Sequence, residues 1–217
     1  MKTDNLHQVI SIRHLTDSAY VVRLSRRGLR FSAGQHILLG KSGSIHNREY
    51  SVYSGEHDDF FEVLIKEVEE GLVSKQLKKL KPGEMVQIEG PLGFFTIPPE
   101  LVGSAEFLFI GTGTGIAPFH SFVRSYPQIN YKLLHGVRYG TEAYDKTDYD
   151  PARHILCTSA DKSGDFHGRV TQWLRQHHIS PETHCYLCGN FNMIHEAFEI
   201  LEQKGVPPAH VHAEVYF

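Results

Sequence analysis

The pattern of hydrophobic and polar positions divides the chain into two parts with different periodicities. Up to about residue 97, apolar residues occur in short runs separated by turn segments such as Lys81-Pro82-Gly83. Short runs of this kind are typical of strands. They predict six strands, at Val9–His14, Tyr20–Leu24, His36–Leu39, Tyr50–Tyr53, Phe60–Lys66 and Met85–Glu89, and one helix at Leu72–Leu80. Six strands with this spacing favour an antiparallel barrel or sandwich.

From Glu106 onward, apolar runs alternate with segments of helical spacing. The predicted strands are Phe107–Ile110, Tyr131–Val137, His154–Thr158, His184–Leu187 and Val211–Val215, and the predicted helices are Ala117–Tyr126, Val170–His177 and Asn190–Lys204. This alternation predicts a parallel sheet with helices on both faces. We therefore expect two domains: a β-barrel over residues 1–98 and an α/β nucleotide-binding domain over residues 103–217.

Composition narrows the class of protein. The chain has 217 residues, of which 41% are hydrophobic and 22% charged, as in ordinary globular proteins. Its net charge of −3 argues against nucleic acid or an anionic membrane as a partner. No apolar run approaches the ~20 residues that cross a bilayer, and the N-terminus lacks a signal-peptide pattern. With three cysteines, an odd number, the chain is expected to be cytoplasmic and reduced.

A glycine loop stands between the first strand of the second part and the helix that follows. The segment Gly111-Thr-Gly-Thr-Gly115-Ile-Ala-Pro118 has glycines at alternate positions. Backbone amides in such a loop, next to a helix N-terminus, can bind a pyrophosphate. The spacing departs from the Rossmann fingerprint, because Ile116 stands where that pattern has its third glycine. The alternative is a tight strand-to-helix turn without a ligand.

Two segments of the first part carry groups suited to a second phosphate ligand. In Arg48-Glu49-Tyr50-Ser51, the side chains of Arg48 and Tyr50 share one strand face. A guanidinium pairs with phosphate, and an aromatic ring covers a flat ring. The stretch Gly71–Ser74 opens the predicted helix with amides and a hydroxyl. Taken alone, the first segment would favour an ordinary amphipathic strand over a ligand site.

In their order along the chain, five motifs resemble those of the ferredoxin–NADP⁺ reductase family of flavoproteins. They are Arg48-x-Tyr50-Ser51, Gly71-x-x-Ser74, the Gly111–Pro118 loop, Cys188-Gly189 and Glu214-Val215-Tyr216. The resemblance implies a six-stranded antiparallel Greek-key β-barrel that binds flavin, followed by a parallel-sheet α/β domain that binds NAD(P).

The resemblance also implies roles on the flavin side. Arg48 would contact the flavin pyrophosphate, Tyr50 would stack on the isoalloxazine, and Ser51 would hydrogen-bond near its N5 atom. Tyr216 would cover the other ring face, although Phe217 follows it and leaves open which ring does so. The pyrophosphate would be held by Gly71, Leu72, Val73 and Ser74, with Lys66 at the border of the pocket. Two phosphate-directed elements favour FAD over FMN.

On the nicotinamide side, the resemblance places Cys188 beside the nicotinamide C4 atom and makes Glu214 a proton relay. The implied catalytic residues are Ser51, Cys188, Glu214 and Tyr216. The implied NAD(P) residues are Gly111, Thr112, Gly113, Thr114, Gly115, Pro118, Ser159, Lys162, Cys188 and Gly189. No metal site is expected, because Cys185 and Cys188 are three apart on a strand and face opposite sides.

The choice of nicotinamide stays open. Relatives that use NADPH place an arginine after a serine or threonine at the end of the middle strand. Here Ala160, or Asp161 with a shift of one residue, takes that place. An acid there would repel a 2′-phosphate, but Lys162, Arg138, Arg153 or Arg169 can compensate. NADPH and NADH therefore both remain possible donors.

The expected partner is a small electron carrier such as ferredoxin or flavodoxin. Lys75-Gln-Leu-Lys78-Lys79-Leu-Lys81 is a basic stretch in a mildly acidic chain, and it can dock an acidic protein. It can equally be a solvated helix face. Two other functions remain: a reductase component of an oxygenase or other multi-subunit redox complex, and a non-catalytic nucleotide-binding module on the same scaffold.

Overall fold

The structure is a computed structural model that describes residues 5–216. Contacts divide the chain into two compact units. The first contains the chain up to Thr96 together with His120–Ser125, and the second contains Ile97–Phe119 and the chain from Tyr126 onward. Within the first unit, the ring of His120 stacks on that of Tyr53 with their centroids 3.8 Å apart.

The first unit is an antiparallel barrel. Its strands are β1 (Leu6–His14), β2 (Ala19–Ser25), β3 (His36–Lys41), β4 (Arg48–Ser51), β5 (Phe60–Lys66) and β6 (Met85–Leu92). Their order is β4-β3-β6-β1-β2-β5, with every neighbouring pair antiparallel. A bridge between Val52 and Val63 joins the two ends of this order and closes the barrel.

Helix α1 (Leu72–Lys78) is amphipathic and packs on the barrel core. Val73 and Leu77 are buried in one cluster with the strand residues Tyr20, Ile37 and Val63. The lysines of the helix lie on its other side, since Lys75 and Lys78 retain solvent exposure. Burial of the Val73–Leu77 face thus fixes the helix to the barrel.

The second unit is a parallel sheet. Its strands are β7 (Glu106–Thr112), β8 (Asn130–Val137), β9 (His154–Thr158), β10 (Phe166–His167), β11 (His184–Asn190) and β12 (Val211–Tyr216). The order is β10-β9-β8-β7-β11-β12, and all five pairings are parallel. The chain starts at β7 in the middle and winds outward in both directions. The order therefore reverses between β7 and β11, where α/β sheets form a ligand crevice.

Helices cover both faces of this sheet. On one face, α3 (Val170–Gln176) and α4 (Phe191–Gln203) pack against strand residues such as Leu108 and Leu187. On the other face, α2 (Ala117–Ser125) packs through Phe119, whose ring stacks on that of Phe109 at a centroid distance of 5.0 Å. None of the helices in residues 5–216 is long and apolar enough to cross a bilayer.

The predicted fold class is confirmed, and the differences in the elements have local causes. Strand β10 was missed because two residues are too few to show a periodicity. Strand β4 ends at Ser51, before the predicted Tyr53, although Val52 still bridges to β5. Asn190 precedes α4 and does not begin it: its side-chain oxygen accepts hydrogen bonds from the N–H groups of Asn192 and Met193 and caps the helix.

Candidate functional site

Strand β4 presents its three predicted flavin residues at three depths. Arg48 is exposed, Tyr50 is half-buried against the barrel core, and Ser51 is buried at the end of the strand. The Arg48 guanidinium donates to the Asn47 carbonyl over 2.8 Å. Burial raises the pKa of Tyr50 to about 12, and the nearby Arg48 opposes this shift only in part. Tyr50 is therefore a neutral phenol beside a cation.

The turn that leads into α1 is built by Gly71 and Ser74. The Ser74 Oγ accepts a hydrogen bond from the Val68 N–H over 3.2 Å, which leaves the hydroxyl hydrogen as a donor. A Cβ on residue 71 would come within 2.8 Å of that Oγ, so the turn requires glycine. As the N-cap residue, Gly71 supplies no side-chain oxygen, and the first turn contains no acid. The first turn of α1 thus has no side chain that competes with a ligand for its N–H groups, although Glu69 and Glu70 immediately precede Gly71.

Tyr20 anchors the first turn of α1, and nothing in the sequence separates it from a core aromatic residue. It is fully buried in β2, and its hydroxyl donates to the Ser74 carbonyl. Burial, with a smaller contribution from nearby Tyr50, raises its pKa far above the ordinary value. Tyr20 therefore joins β2 to the first turn of α1.

In the second unit, the glycines of the loop have different functions in the fold. A Cβ on Gly115 would lie 2.4 Å from the Cys188 carbonyl oxygen. A Cβ on Gly189 would lie 2.4 Å from the Thr112 Oγ1. These two glycines allow the loop to pack directly on the end of β11. Gly113 differs, because its φ is +53° and no other described atom would lie within 4 Å of a Cβ there. It borders open space that a ligand can approach.

Three of the four predicted catalytic residues meet at the carboxyl ends of β11 and β12. In the register of these strands, Cys188 is opposite Glu214, and Asn190 is opposite Tyr216. Cys188 is fully buried. Burial and the neighbouring Glu214 raise the pKa of its thiol, and a hydrogen bond with the Tyr216 side chain opposes that shift. Cys188 is thus a neutral thiol that lies opposite an acidic residue and is hydrogen-bonded to a phenol. Ser51 belongs to the first unit, and Phe217 lies outside the described residues.

Cys185 faces the other side of β11, as the spacing predicted. It is buried in the cluster that contains Leu187 and the α4 residue Ala197. Burial raises the pKa of its thiol to about 12. The two cysteines therefore do not converge on a common ligand.

At the carboxyl ends of β8 and β9, two acidic side chains accept hydrogen bonds from backbone N–H groups. The Asp161 carboxylate accepts from the Gly140 N–H over 3.1 Å and from the Ser163 hydroxyl over 2.8 Å. Glu142, which sequence reasoning missed, accepts from the N–H groups of Arg138 and Tyr139, each over 3.1 Å. Hydrogen bonds from Ser163 and Gly140 lower the pKa of Asp161, so it is ionised. The predicted residues Ser159 and Lys162 are exposed in the same loop.

The lysines of the basic stretch are not equivalent. Lys78 forms a 2.8 Å ion pair with Glu67, and the Lys75 ammonium donates to the Glu69 carbonyl. Lys79 and Lys81 are exposed. Acidic neighbours thus reduce the positive potential around Lys78.

Comparisons with known proteins agree with this arrangement. Residues 6–97 match the family model of the oxidoreductase FAD-binding domain, and residues 109–198 match that of the oxidoreductase NAD-binding domain. A ferredoxin–NADP reductase of Azotobacter vinelandii is 25% identical, over 95% of this chain and 92% of that protein. The toluate 1,2-dioxygenase electron transfer component of Pseudomonas putida is 28% identical, over 96% and 66%.

The chain belongs to the ferredoxin–NADP⁺ reductase family. A crystal structure of a ferredoxin NADP⁺ reductase from Neisseria gonorrhoeae, described with bound FAD and NADP, shares the fold. Its TM-score is 0.86 at 23% identity, over 98% of both chains. As a member of this family, the chain is a flavoprotein oxidoreductase whose cofactors are FAD and a nicotinamide dinucleotide.

The residues present fit both cofactors of the reductase family. In the barrel, an exposed arginine, a half-buried tyrosine and a helix whose first turn contains no acid provide donors for a diphosphate and an apolar surface for a ring. In the second unit, Gly113 borders open space next to the Cys188 cluster. The groups of the first unit therefore suit FAD, and those of the second unit suit a nicotinamide dinucleotide.

Proposed function

We propose that the chain oxidises NADH through FAD and delivers the electrons one at a time to a small separate carrier, such as a ferredoxin or flavodoxin. The observation that carries this proposal is the cluster of Cys188, Glu214 and Tyr216 next to the glycine loop, at the point where the strand order reverses. When bound, FAD takes a hydride from a reduced nicotinamide and releases its electrons singly.

In the barrel, the proposed task of the side chains is to bind and orient FAD. Arg48 contacts the pyrophosphate, assisted by the Gly71–Ser74 turn, with Lys66 at its border. Tyr50 provides the ring surface, and its raised pKa keeps it neutral at every physiological pH. Ser51 supplies a hydroxyl at the buried end of β4, toward the reacting edge of the flavin.

In the second unit, the loop from Gly111 to Gly115 binds the dinucleotide pyrophosphate, with Pro118 in the first turn of α2. Cys188 is proposed to orient the nicotinamide, and a neutral thiol suits this task because it adds no charge beside a ring that changes charge in the reaction. Glu214 is proposed to hold the proton exchanged with solvent. Tyr216 is proposed as the ring that covers the flavin.

NADH is the proposed donor because of the acids at the ends of β8 and β9. Three successive backbone N–H groups, of residues 138–140, already donate to Glu142 and Asp161. A 2′-phosphate at this place would meet two carboxylates and no free amide from these three residues. A ribose 2′-hydroxyl can instead donate to a carboxylate. Ser159 and Lys162 would border the same ribose.

The central experiment is an absorbance spectrum of the purified protein, followed by anaerobic titration with NADH and, separately, NADPH. We expect a flavin spectrum that NADH bleaches at a lower concentration than NADPH. A protein that stays colourless after incubation with FAD would overturn the redox function and favour the non-catalytic module. Equal bleaching by the two donors, or stronger bleaching by NADPH, would overturn the choice of donor alone.

The proposed docking surface consists of the exposed lysines Lys79 and Lys81. Turnover with a ferredoxin as acceptor should fall as ionic strength rises, because screening weakens attraction between exposed charges. Lys79→Glu should raise the KM for ferredoxin, whereas Lys132→Glu, the same charge change at an exposed lysine of β8 in the second unit, serves as the control. A flat response to salt, or equal effects of the two variants, would contradict this surface.

A second candidate is supported by the likeness to the toluate dioxygenase electron transfer component, namely a reductase of an oxygenase system. The two candidates differ in the acceptor and share the chemistry at the flavin. Copurification of a tagged chain with an oxygenase subunit would favour this second candidate, and turnover with free ferredoxin at low salt would favour the first.

A further inference from the structure

A histidine lies directly beneath the glycine loop. His135 is on β8, opposite Gly111 of β7, and it is fully buried. Its Nε2 lies 3.0 Å from the carbonyl oxygen of Gly113. A carbonyl oxygen only accepts hydrogen bonds, so the Nε2 atom carries the hydrogen and donates.

The surroundings keep this imidazole neutral. Burial, with the nearby His154 as a smaller cause, lowers the pKa of His135 to about 3. Its ring neighbours are His154 and Tyr144, with centroids 5.9 and 5.8 Å away. Its Nδ1 atom is buried and has no hydrogen-bond partner among the described residues. The contact to Gly113 is therefore the hydrogen bond that the structure shows for this ring.

Gly113 is the residue of the loop whose conformation needs such support. Its φ of +53° is left-handed, and no packing neighbour would contact a Cβ there. On one side, the Thr112 Oγ1 accepts the Asn190 N–H over 3.1 Å, and on the other, Gly115 packs on β11. The residues on both sides of Gly113 are thus fixed by contacts with β11. The Gly113 carbonyl itself is fixed by His135 on β8.

We propose that His135 is a positioning residue for the nicotinamide dinucleotide: its Nε2–H fixes the Gly113 carbonyl, so that the amides of the loop face the pyrophosphate. This inference rests on the proposed function, in which the loop binds that pyrophosphate. His135 acts on affinity only, because the hydrogen bond is present before the ligand binds and is made equally in the transition state.

The test uses two variants of nearly equal size. Glutamine can place its Nε2–H near the position of the imidazole Nε2–H, whereas methionine has a similar length and no donor. In the flavin-loaded protein, His135→Met should raise the KM for NADH and the Kd for ADP-ribose about tenfold, equivalent to ~1.4 kcal/mol. His135→Gln should stay within about threefold of the parent. The kcat with ferricyanide and the flavin spectrum should not change.

Three results would overturn the inference: equal losses in both variants, no loss in His135→Met, or a fall in kcat without a change in KM. If the parent protein itself binds neither NADH nor ADP-ribose, the proposed function fails first. An independent measurement in the unaltered protein uses ¹⁵N-labelled histidine and NMR. We expect the Nε2–H form of His135 between pH 6 and 8, with a resonance that shifts when ADP-ribose saturates the site. A resonance that does not move, or the Nδ1–H form, would contradict the proposal even if the variants do not fold.

Discussion

The two turns that we propose as phosphate sites are built differently, although each begins at a glycine and leads into a helix. The Gly71–Ser74 turn of the barrel is held by hydroxyl groups, since Ser74 accepts from Val68 and Tyr20 donates to the Ser74 carbonyl. The loop from Gly113 to Gly115 is held by close backbone packing on β11 and by an imidazole from β8. Changes to side-chain hydroxyls should therefore affect the first turn, whereas added volume or charge should affect the second.

The largest expected difference between the two units is in how their stabilities respond to acidic pH. His135 and His154 are buried, and burial lowers their pKa values from the ordinary 6.5 to about 3 and about 4. A lowered folded-state pKa gives stability that is complete above pH 6.5, falls progressively as the pH drops from 6.5 toward the folded-state pKa, and is fully lost below that value. Each histidine should remove about 1.4 kcal/mol per pH unit from the stability of the second unit between pH 6 and 4.

Fluorescence can measure this loss, because Trp173 is the single tryptophan and lies in α3 of the second unit. The free energy of unfolding in urea, followed by Trp173 fluorescence, should fall as the pH falls. His135→Gln should make this dependence on pH less steep. Barrel stability, followed by release of FAD, should fall less steeply. Equal slopes for the two signals would mean that these histidines do not distinguish the units.

Added volume at Gly115 should have the next largest effect. In Gly115→Ala, the new Cβ would lie 2.4 Å from the backbone oxygen of Cys188, a contact that rigid backbone cannot relieve without a shift. We expect a loss of about 1–3 kcal/mol in the stability of the second unit, as for other overpacked sites, and a higher KM for NADH. FAD retention should not change. If Gly115→Ala releases FAD and leaves the KM for NADH unchanged, the assignment of FAD to the Gly71–Ser74 turn and of NADH to the Gly113–Gly115 loop is wrong.

Removal of the Tyr20 hydroxyl should give the opposite pattern. Tyr20→Phe keeps the ring but removes the hydroxyl that donates to the buried Ser74 carbonyl, which costs about 1 kcal/mol. We expect faster release of FAD on dilution and an unchanged Kd for ADP-ribose. Tyr53→Phe, another fully buried tyrosine of the first unit, serves as the comparison. Identical FAD release in the two variants would show that the hydroxyl of Tyr20 has no specific effect on the turn.

The smallest expected effect is on the preference for NADH over NADPH as the electron donor. Asp161→Asn removes one exposed charge and retains an oxygen that can accept from Gly140. The ratio of kcat/KM for NADPH to that for NADH should rise about fivefold, since exposed charges are screened. Asp150→Asn, an exposed acid paired with Arg153, is the matched control. An unchanged ratio would remove Asp161 from the set of residues that select the donor.

Much of the fold was predictable, because the two periodicities belong to long segments with uniform environments. Strands β5 and β9 have the predicted bounds, and helix α3 differs by one residue. The candidate site was predictable where motifs are local, as in Arg48–Ser51 and Gly111–Gly115. Tyr20 and His135 were not, because a buried tyrosine or histidine in an apolar strand has the same pattern as any core residue. Their importance depends on a hydrogen-bond partner 54 positions away for Tyr20 and 22 positions away for His135. Glu142 was not predictable either, because an acid in a short connection has the same pattern as any solvated residue.

The amino-acid sequence by itself determined the two kinds of domain, the order of the motifs and the opposite orientations of Cys185 and Cys188. These follow from periodicity and spacing, which act between neighbours in the chain. Only the tertiary structure decided that Cys188, Glu214 and Tyr216 meet, that two acids occupy the amides at the end of β8, and that His135 supports Gly113. The physical reason is that parallel pairing brings together strand ends that are tens of residues apart, and burial then sets which hydrogen bonds and charges those residues can keep.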